Sequence, residues 1–533
     1  MEILTTLGVV GFILRLSHKI TGLLFLWWRK EYRWDRMLVH LRTKQGETVL
    51  LGKTHIILIA FALMWALEGI QHIVYMLVGL TAFALGFMYT RSIRTWLIPP
   101  LSPKVVLLFV ALCAVILFLA LWSPLPILIA LLIADLLLFP TSLLIVVGMS
   151  LPTKAYHWLQ IAKAVKVLRA HAPMTVIGIT GSYGKTSVKD YISAILGSSN
   201  KTLKTSASKN SPIGIAEVIL QSLKSSHTHF VVEMGAYKRG EIREMSAMVR
   251  PEIGVLTAIN PQHQDLFGSI ETTMKAKYEL LQGLVGKKIA IVNLDDAKTR
   301  QMGAWAKKDG CDVWGWSRQS TLPESVVPAA HTFRAGNIDV TDHSVSFDCI
   351  IGREKAHIEA AVVGEHQVGN ILAAIAAAVA GGMKFKDAAA AVKNLQAAPK
   401  VMEVIPGIHG SVFIDDTFNN NPDAAKAAIQ FLGRNKGKKI LVFQPMIELG
   451  AFAEASHEAV GAEAARNADA IFLTNANFFS AFSRGVKSVA SGVPLSVAKP
   501  SAIAEYITKH VKKNDMVLFK GKDAEHALKL IKV

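Results

Sequence analysis

From Val105 to Thr153 the chain carries one charged side chain, Asp135. The run far exceeds the ~20 apolar residues that one helix needs to cross a bilayer. Backbone polar groups in hydrocarbon must pair within their own segment, so the stretch is constrained to helices. Ser123–Pro124 divides it into a hairpin, 105–122 and 126–148. A second hairpin, 54–70 and 72–89, turns near Gly69–Gln71, and an apolar segment, 4–27, precedes both. Arg15, His18 and Lys19 interrupt that first segment, so it either crosses or lies in the interface as an amphipathic helix, with crossing the favoured reading. Its mid-segment charge, with more spans following, separates it from a cleaved signal peptide. Asp135 is either functional or a buried acid bonded to a neighbouring helix.

The net charge of +18 raises the question of nucleic acid, but no RNA- or DNA-binding motif accompanies it, so none is expected as a partner. Much of the basic excess sits beside the apolar spans. Residues 28–54 hold Arg29, Lys30, Arg33, Arg36, Arg42, Lys44 and Lys53; Arg91, Arg94 and Lys104 follow, then Lys154, Lys163, Lys166 and Arg169. The two short turns hold neither Lys nor Arg. By the positive-inside rule the basic loops and everything after residue 150 face the cytoplasm. The expectation is a multi-pass protein of the cell (inner) membrane, with the lipid bilayer as a partner. Three cysteines without CxxC spacing offer neither a zinc site nor a disulfide framework.

Beyond Pro152 short β-branched runs alternate with helical stretches. Strands are expected at 174–180, 229–234, 252–259, 288–293, 411–415, 439–443, 470–474 and 516–519, with helices such as 185–197, 271–284 and 422–433 between them. This alternation predicts parallel, doubly wound sheets. The Ala-rich stretch 372–392 reads as a helix pair broken at Gly381–Gly382. After the first strand comes "TGSYGKTS". Gly181 and Gly184 let the backbone aim its N–H groups, with those of Ser182 and Ser187, at phosphate. Lys185 reaches the terminal phosphates and Thr186 can hold Mg²⁺. Glu233 ends a strand at the height of a metal-binding carboxylate. His263 lies in a loop after another strand, and Lys277 on the following helix. His366 and Asn370 lie four apart on one face of a helix start.

In this order, with "FIDDTFNNNPDA", "MIELG" and "VLFKGK" after them, these segments resemble the Mur ligase family over about 174–533. They are most similar to its branch that adds D-alanyl-D-alanine to a muramyl tripeptide. With the apolar spans before them, the expected fold is an α-helical transmembrane domain followed by α/β, for which the resemblance implies a P-loop Mur ligase central domain and a Rossmann-like C-terminal domain. The expected boundaries are 1–150 for a multi-span membrane domain of about five helices, 151–173 for a linker, 174–398 for the central ATP-binding domain and 399–533 for the C-terminal domain. The implied reaction is ATP-dependent: a carboxylate becomes an acyl phosphate and an amine displaces the phosphate. Lys185 would bind phosphate, Thr186 and Glu233 one Mg²⁺, and His263 a second. Lys277 would be carbamylated. Asn293, His366 and Asn370 would contact nucleotide, and Asp415, Asp416 and Asn419 would belong to the domain that closes over it.

The resemblance implies a muramyl-peptide substrate, UDP- or lipid-linked, a D-Ala-D-Ala-like amine, and cell-wall synthesis proteins as partners. There are departures. The family's Arg facing the γ-phosphate is replaced by Lys400, a point charge without a bidentate grip. The sequence reads Gln444-Pro445-Met446 for "GDM" and Lys520-Gly521-Lys522 for "KGS". The apolar spans stand where the family has its UDP-binding domain. Two rival readings are a membrane-anchored poly-γ-glutamate-type ligase and a catalytically silent nucleotide-binding scaffold.

Overall fold

The computed structural model describes residues 2–41, 53–67, 69–90, 98–206, 209–260, 267–320, 327–341, 343–447, 449–489 and 492–531. They divide into two compact units, Met1–Trp158 and Leu159–Val533.

The described residues of the first unit build helices α1 (Glu2–Arg29), α2 (Trp34–Leu41), α3 (Lys53–Trp65), α4 (Gln71–Thr90), α5 (Pro103–Trp122) and α6 (Ile127–Ala170). Of these, α1, α4, α5 and α6 are long and apolar enough to cross a membrane. Helix α3 is apolar but has 13 residues, shorter than the expected 54–70 span. Its end tightens through Ala66 N–H to Leu63 O and Leu67 N–H to Met64 O, leading to Gly69 at φ +88°. α1 and α4 cross with their backbones almost touching. A Cβ on Gly11 would lie 2.3 Å from the Ala82 carbonyl oxygen, and one on Gly86 2.6 Å from the Gly11 Cα. Only residues without a bulky side chain allow backbones to approach this closely. The charges interrupting α1 also find their reason here. Arg15 Nε and Nη2 donate to the two Asp135 carboxylate oxygens at 3.0 and 3.2 Å, and Lys19 Nζ donates to Oδ2 at 2.9 Å. Asp135 is thus bonded to a neighbouring helix.

The expected linker 151–173 is a correction: α6 runs unbroken to Ala170 through Pro140 and Pro152. Each proline removes one N–H, Pro152 from the Gly148 carbonyl; the Thr153 hydroxyl donates to the next carbonyl, that of Met149, at 2.8 Å. Ile161, Ala164, Val165 and Leu168, at i, i+3, i+4 and i+7, then pack this end of the helix into the core of the second unit.

The second unit has two sheets. In the first, β1 (Thr175–Thr180), β2 (Thr202–Lys204), β3 (His229–Glu233), β4 (Ile253–Leu256), β5 (Ile289–Asn293), β6 (Asp312–Ser317), β7 (Thr332–Val340), β8 (Val345–Ile351) and β9 (Glu354–Ala360) lie in the order 2-3-1-4-5-6-7-8-9. Pairing is parallel as far as β7 and antiparallel beyond it. In the second, β10 (Glu403–Pro406), β11 (Val412–Asp416), β12 (Lys439–Phe443), β13 (Ala470–Leu473), β14 (Leu495–Val497) and β15 (Met516–Lys520) lie in the order 10-11-15-12-13-14. Only β10 is antiparallel to its neighbour. All eight expected strands are present. The Ala-rich stretch forms helices His366–Ala380 and Phe385–Ala391, the first buried along nearly its whole length.

Candidate active site

Ligands of parallel α/β sheets bind beyond the carboxyl ends of the strands, and register decides which side chains meet there. Pairing of Ile179 with Glu233 puts the Glu233 carboxylate beside the loop that leaves β1. Pairing of Thr180 with Leu256 brings Thr257 to the other side, and the Asn293 amide donates to the Thr257 carbonyl at 2.9 Å. The loop between them is tight. Gly184 caps helix Lys185–Gly197 at φ +80°, and a Cβ on Gly181 (φ +154°) would lie 1.9 Å from Thr257 Oγ1. Only glycine fits that approach.

Lys185, Thr186, Glu233 and Lys277 converge on this loop. The Thr186 hydroxyl donates to Glu233 Oε2 at 3.1 Å. Asn210 Nδ2 donates to Oε1 at 3.1 Å, and Lys189 Nζ lies 3.8 Å from Oε2. Lys185 Nζ donates to the carbonyls of Gly181 at 2.8 Å and Ser182 at 3.3 Å. Helix Ile270–Gln282 delivers Lys277, whose Nζ donates to the same Gly181 carbonyl at 3.0 Å. Burial pushes the Lys277 amine well below its ordinary value, and the positive Lys185 nearby pushes it further. Burial also lowers Lys185, with Glu233 opposing.

A cavity of about 360 Å³ opens in front of the loop, between the two sheets' carboxyl edges. Ser182, Gly184, Lys185, Thr186, Ser187 and Asn293 line it, as do His366, Asn370, Asp416 and Asn419. Burial pushes His366 down to about 4, opposed by Asp416 and reinforced by Lys520 and Arg318. Asn370 Nδ2 donates to Gln367 Oε1, which also accepts from the Tyr191 hydroxyl. From the second sheet, Asp416 pairs with Lys520 across neighbouring strands, both buried. Asn260 spans the two halves, its amide donating to Asn421 Oδ1 at 3.3 Å and Asp423 Oδ2 at 3.0 Å.

Three expectations fare differently. Asp415 is not among the cavity-lining residues, because its carboxylate accepts from the Thr417 N–H and hydroxyl. Lys400, expected to face a γ-phosphate, donates instead to Glu525 Oε1 at 2.8 Å. His263 lies outside the described residues. The sequence reading passed over Lys189, Asn210, Asn260, Arg318 and Lys520 as site residues. Lys520 had a visible signal, the variant "KGK", and Arg318 follows β6, a strand whose "DVWGWS" does not alternate.

The loop fits a nucleotide phosphate chain. Its backbone leaves no room for side chains, and its cations are in place. Two buried polar atoms of the cavity wall, Trp316 Nε1 and His366 Nδ1, have no hydrogen-bond partner, as if awaiting a polar ligand. For Mg²⁺, Thr186 and Glu233 supply two hard oxygen donors, enough for an ion that keeps water and phosphate ligands. Among the described residues no group of three or more His, Cys, Asp and Glu could hold a metal by itself.

A phosphate loop at a parallel sheet's edge, with a strand-end carboxylate and a second domain closing over it, defines a nucleotide-dependent enzyme fold of two α/β domains. The chain belongs to the Mur ligase family: residues 179–378 match the Mur ligase middle domain and 402–523 the Mur ligase, glutamate ligase domain. It is 33% identical over 302 residues to UDP-N-acetylmuramoyl-tripeptide–D-alanyl-D-alanine ligase of Escherichia coli (strain K12), covering 56% of this chain and 64% of that protein. The same-named ligase of Bacillus subtilis (strain 168) is 30% identical, covering 54% and 59%. The chain thus spans less than two-thirds of the length of these relatives. A crystal structure of MurF from Acinetobacter baumannii superposes with a TM-score of 0.62 at 26% identity, covering 70% of this chain and 79% of that one. The MurF ligase of Thermotoga maritima, solved in complex with ADP, shares the fold (TM-score 0.60, 22% identity, 70% and 83% covered).

Proposed function

We propose that the chain is an ATP- and Mg²⁺-dependent amide ligase of peptidoglycan-precursor synthesis. In this reading it joins D-alanyl-D-alanine or a similar amine to a muramyl-peptide carboxylate, and its helical unit holds it in the cell membrane with the second unit in the cytoplasm. The convergence of Lys185, Thr186, Glu233 and Lys277 on one glycine-bounded loop carries the reading. ATP supplies the phosphoryl group that activates the carboxylate. The anionic oxygens that gather in such a transfer need cations and N–H donors aimed beforehand. Lys185 and the loop amides supply them, while Thr186 and Glu233 are the protein's share of a Mg²⁺ site. Burial lowers the Lys277 amine towards the neutral form that CO₂ requires, and a carbamate there would add an anion to orient the metal.

The engagement of Lys400 by Glu525 favours a second reading, a nucleotide-binding scaffold without turnover. Lys520 and Arg318, both in the cavity wall, weigh against it. ADP release by the purified protein decides between them. Release that requires both a muramyl tripeptide and D-alanyl-D-alanine is the expected result; nucleotide binding without release for any muramyl acceptor and amine pair would favour the scaffold.

A further inference from the structure

Lys189 lies one turn beyond Lys185 on helix Lys185–Gly197 and is 1% exposed. A buried ammonium is costly unless carboxylates face it. Two do: Asp190 Oδ1 lies 3.6 Å from its Nζ, and Glu233 Oε2 3.8 Å. Both distances exceed a hydrogen bond, so charge rather than a directed bond holds the ammonium between them. Asp190 has a closer cation, Lys204, whose Nζ donates to the same Oδ1 at 2.7 Å. Glu233 has no such second cation: among the described residues Lys189 is its one ion-pair partner. The hydrogen bonds to the Glu233 carboxylate come from neutral groups, the Thr186 hydroxyl and the Asn210 amide. The two lysines balance the two carboxylates, so this group of four is neutral as it stands.

Glu233 is also the carboxylate that the proposed function gives to Mg²⁺, and the inference rests on that reading. We propose that Lys189 makes the Mg²⁺ site depend on the nucleotide. In the nucleotide-free protein its charge neutralises the buried Glu233 carboxylate, which would otherwise stand without a counter-ion. The same charge opposes a dication at Oε2, and low-dielectric surroundings strengthen that opposition. The phosphate oxygens of a nucleotide bring the negative charge that offsets it, so metal and nucleotide enter together rather than the metal first. Lys189 acts through Glu233 and is therefore a positioning residue. A lysine that only clamped its helix to β3 would leave the coupling between metal and nucleotide unmoved.

The test uses the full chain purified in detergent, with Mn²⁺ as the probe ion, ADP as the nucleotide and electron paramagnetic resonance to count free Mn²⁺. In the unaltered protein ADP should tighten Mn²⁺ at least about tenfold, after correction for Mn²⁺ held by free ADP, and Mn²⁺ should tighten ADP by the same factor. Lys189→Met should bind Mn²⁺ without nucleotide at least about tenfold more tightly than the unaltered protein, and its coupling to ADP should shrink. Lys189→Arg, which keeps the charge, should behave as the unaltered protein. Adding Glu233→Gln to Lys189→Met should abolish the gain, which locates the ion. ADP binding in EDTA reports that each variant folds, and Lys189→Gln takes the place of Lys189→Met if the latter does not. Mn²⁺ affinity that stays equal or weakens when the charge is removed would overturn the proposal. So would a gain in Lys189→Arg, or one that survives Glu233→Gln. Absence of Mn²⁺ binding to every variant even with ADP present would instead sink the Mg²⁺ reading on which the inference rests. Coupled Mn²⁺ and ADP binding without ligation of any acceptor and amine would sink only the ligase reading.

Discussion

The Gly181 carbonyl is the point on which the candidate chemistry turns, because two buried amines share it. In the proposed reaction Lys185 supplies charge, and Lys185→Ala is expected to lower ATP-dependent ligation by at least about a thousandfold, of the order seen when a transition-state donor is removed. Membrane insertion and the thermal midpoint should stay unchanged; near-normal turnover would remove Lys185 from its role. In the proposed reaction Lys277, its pKa lowered by burial, is the carbamate site. Lys277→Ala should be nearly inactive and partly rescued by a short carboxylic acid in the buffer, whereas full activity without rescue would exclude the carbamate. Both lysines were legible in the sequence, since "GKT" and "AKYEL" are local patterns. What was not legible is that they meet. That depends on the β1–β3–β4 register and on helix Ile270–Gln282, which brings Lys277 to the Gly181 carbonyl across 96 positions. Lys400 shows the reverse case: its sequence position matched an active-site cation, yet Glu525 from the last helix takes its amine.

Elements were easiest to read where one face is buried and hardest where a span's end depends on neighbours. Most central strands with β-branched runs declared themselves, whereas β6, the β7 to β9 extension with alternating polar residues, and the edge strands β2, β10 and β14 did not. In the sequence, helix α6 reads as a span over 126–148 with a linker beyond Pro152, but the apolar stripe from Ile161 to Leu168 carries it on to Ala170, a signal present in the sequence and masked by the proline. The contact of α1 with α4 allows a direct test. Gly11→Leu puts side-chain carbons where the Ala82 carbonyl stands, so it should destabilise the helical unit by about 1–3 kcal/mol or more, read as a lowered thermal midpoint in detergent. Gly22→Leu, with open space around its Cβ, should not. In the C-terminal domain, His457 accepts from the Met446 N–H through Nε2 at 2.9 Å and donates from Nδ1 to the Ala453 carbonyl at 2.7 Å. Burial holds its pKa below the ordinary 6.5, and His366 is pushed the same way, to about 4. A folded state that resists protonation loses stability once the unfolded chain begins to take protons. The thermal midpoint should therefore be flat above about pH 6.5 and fall between 6.5 and 4, and His457→Gln should shallow that fall. A midpoint rising on acidification would contradict the assignment of both imidazoles.

At the scale of the whole molecule, the proposed function raises the question of why a ligase built on these two domains should carry apolar helices at all. A ligase of this kind must hold a carboxylate near the γ-phosphate, and positioning alone can supply about 7–11 kcal/mol of barrier reduction. A soluble acceptor must be captured by affinity. An acceptor already in the bilayer is presented at high local concentration to any catalytic unit tethered there, without new contacts. The basic residues flanking α1 to α6 support such an orientation: Arg29, Lys30 and Lys104 on one side, and no Lys or Arg in the turns near Gln71 and Ser123. Cysteines placed at those two turns should therefore react with a membrane-impermeant reagent from outside the cell, and one placed near Lys163 only after permeabilisation; the opposite pattern would invert the topology. Once such labelling has fixed the orientation, the acceptor itself can be decided. Matched UDP-linked and polyprenyl-linked muramyl tripeptides are to be compared with the purified protein in lipid, at equal bulk concentration. The expected outcome is a higher kcat/KM for the polyprenyl-linked form, carried by a lower KM rather than a higher kcat, because tethering changes encounter and not chemistry. Dissolving the lipid into excess detergent should erase the difference. Should the UDP-linked acceptor be used as well in both conditions, the helical unit is an anchor and the acceptor comes from solution.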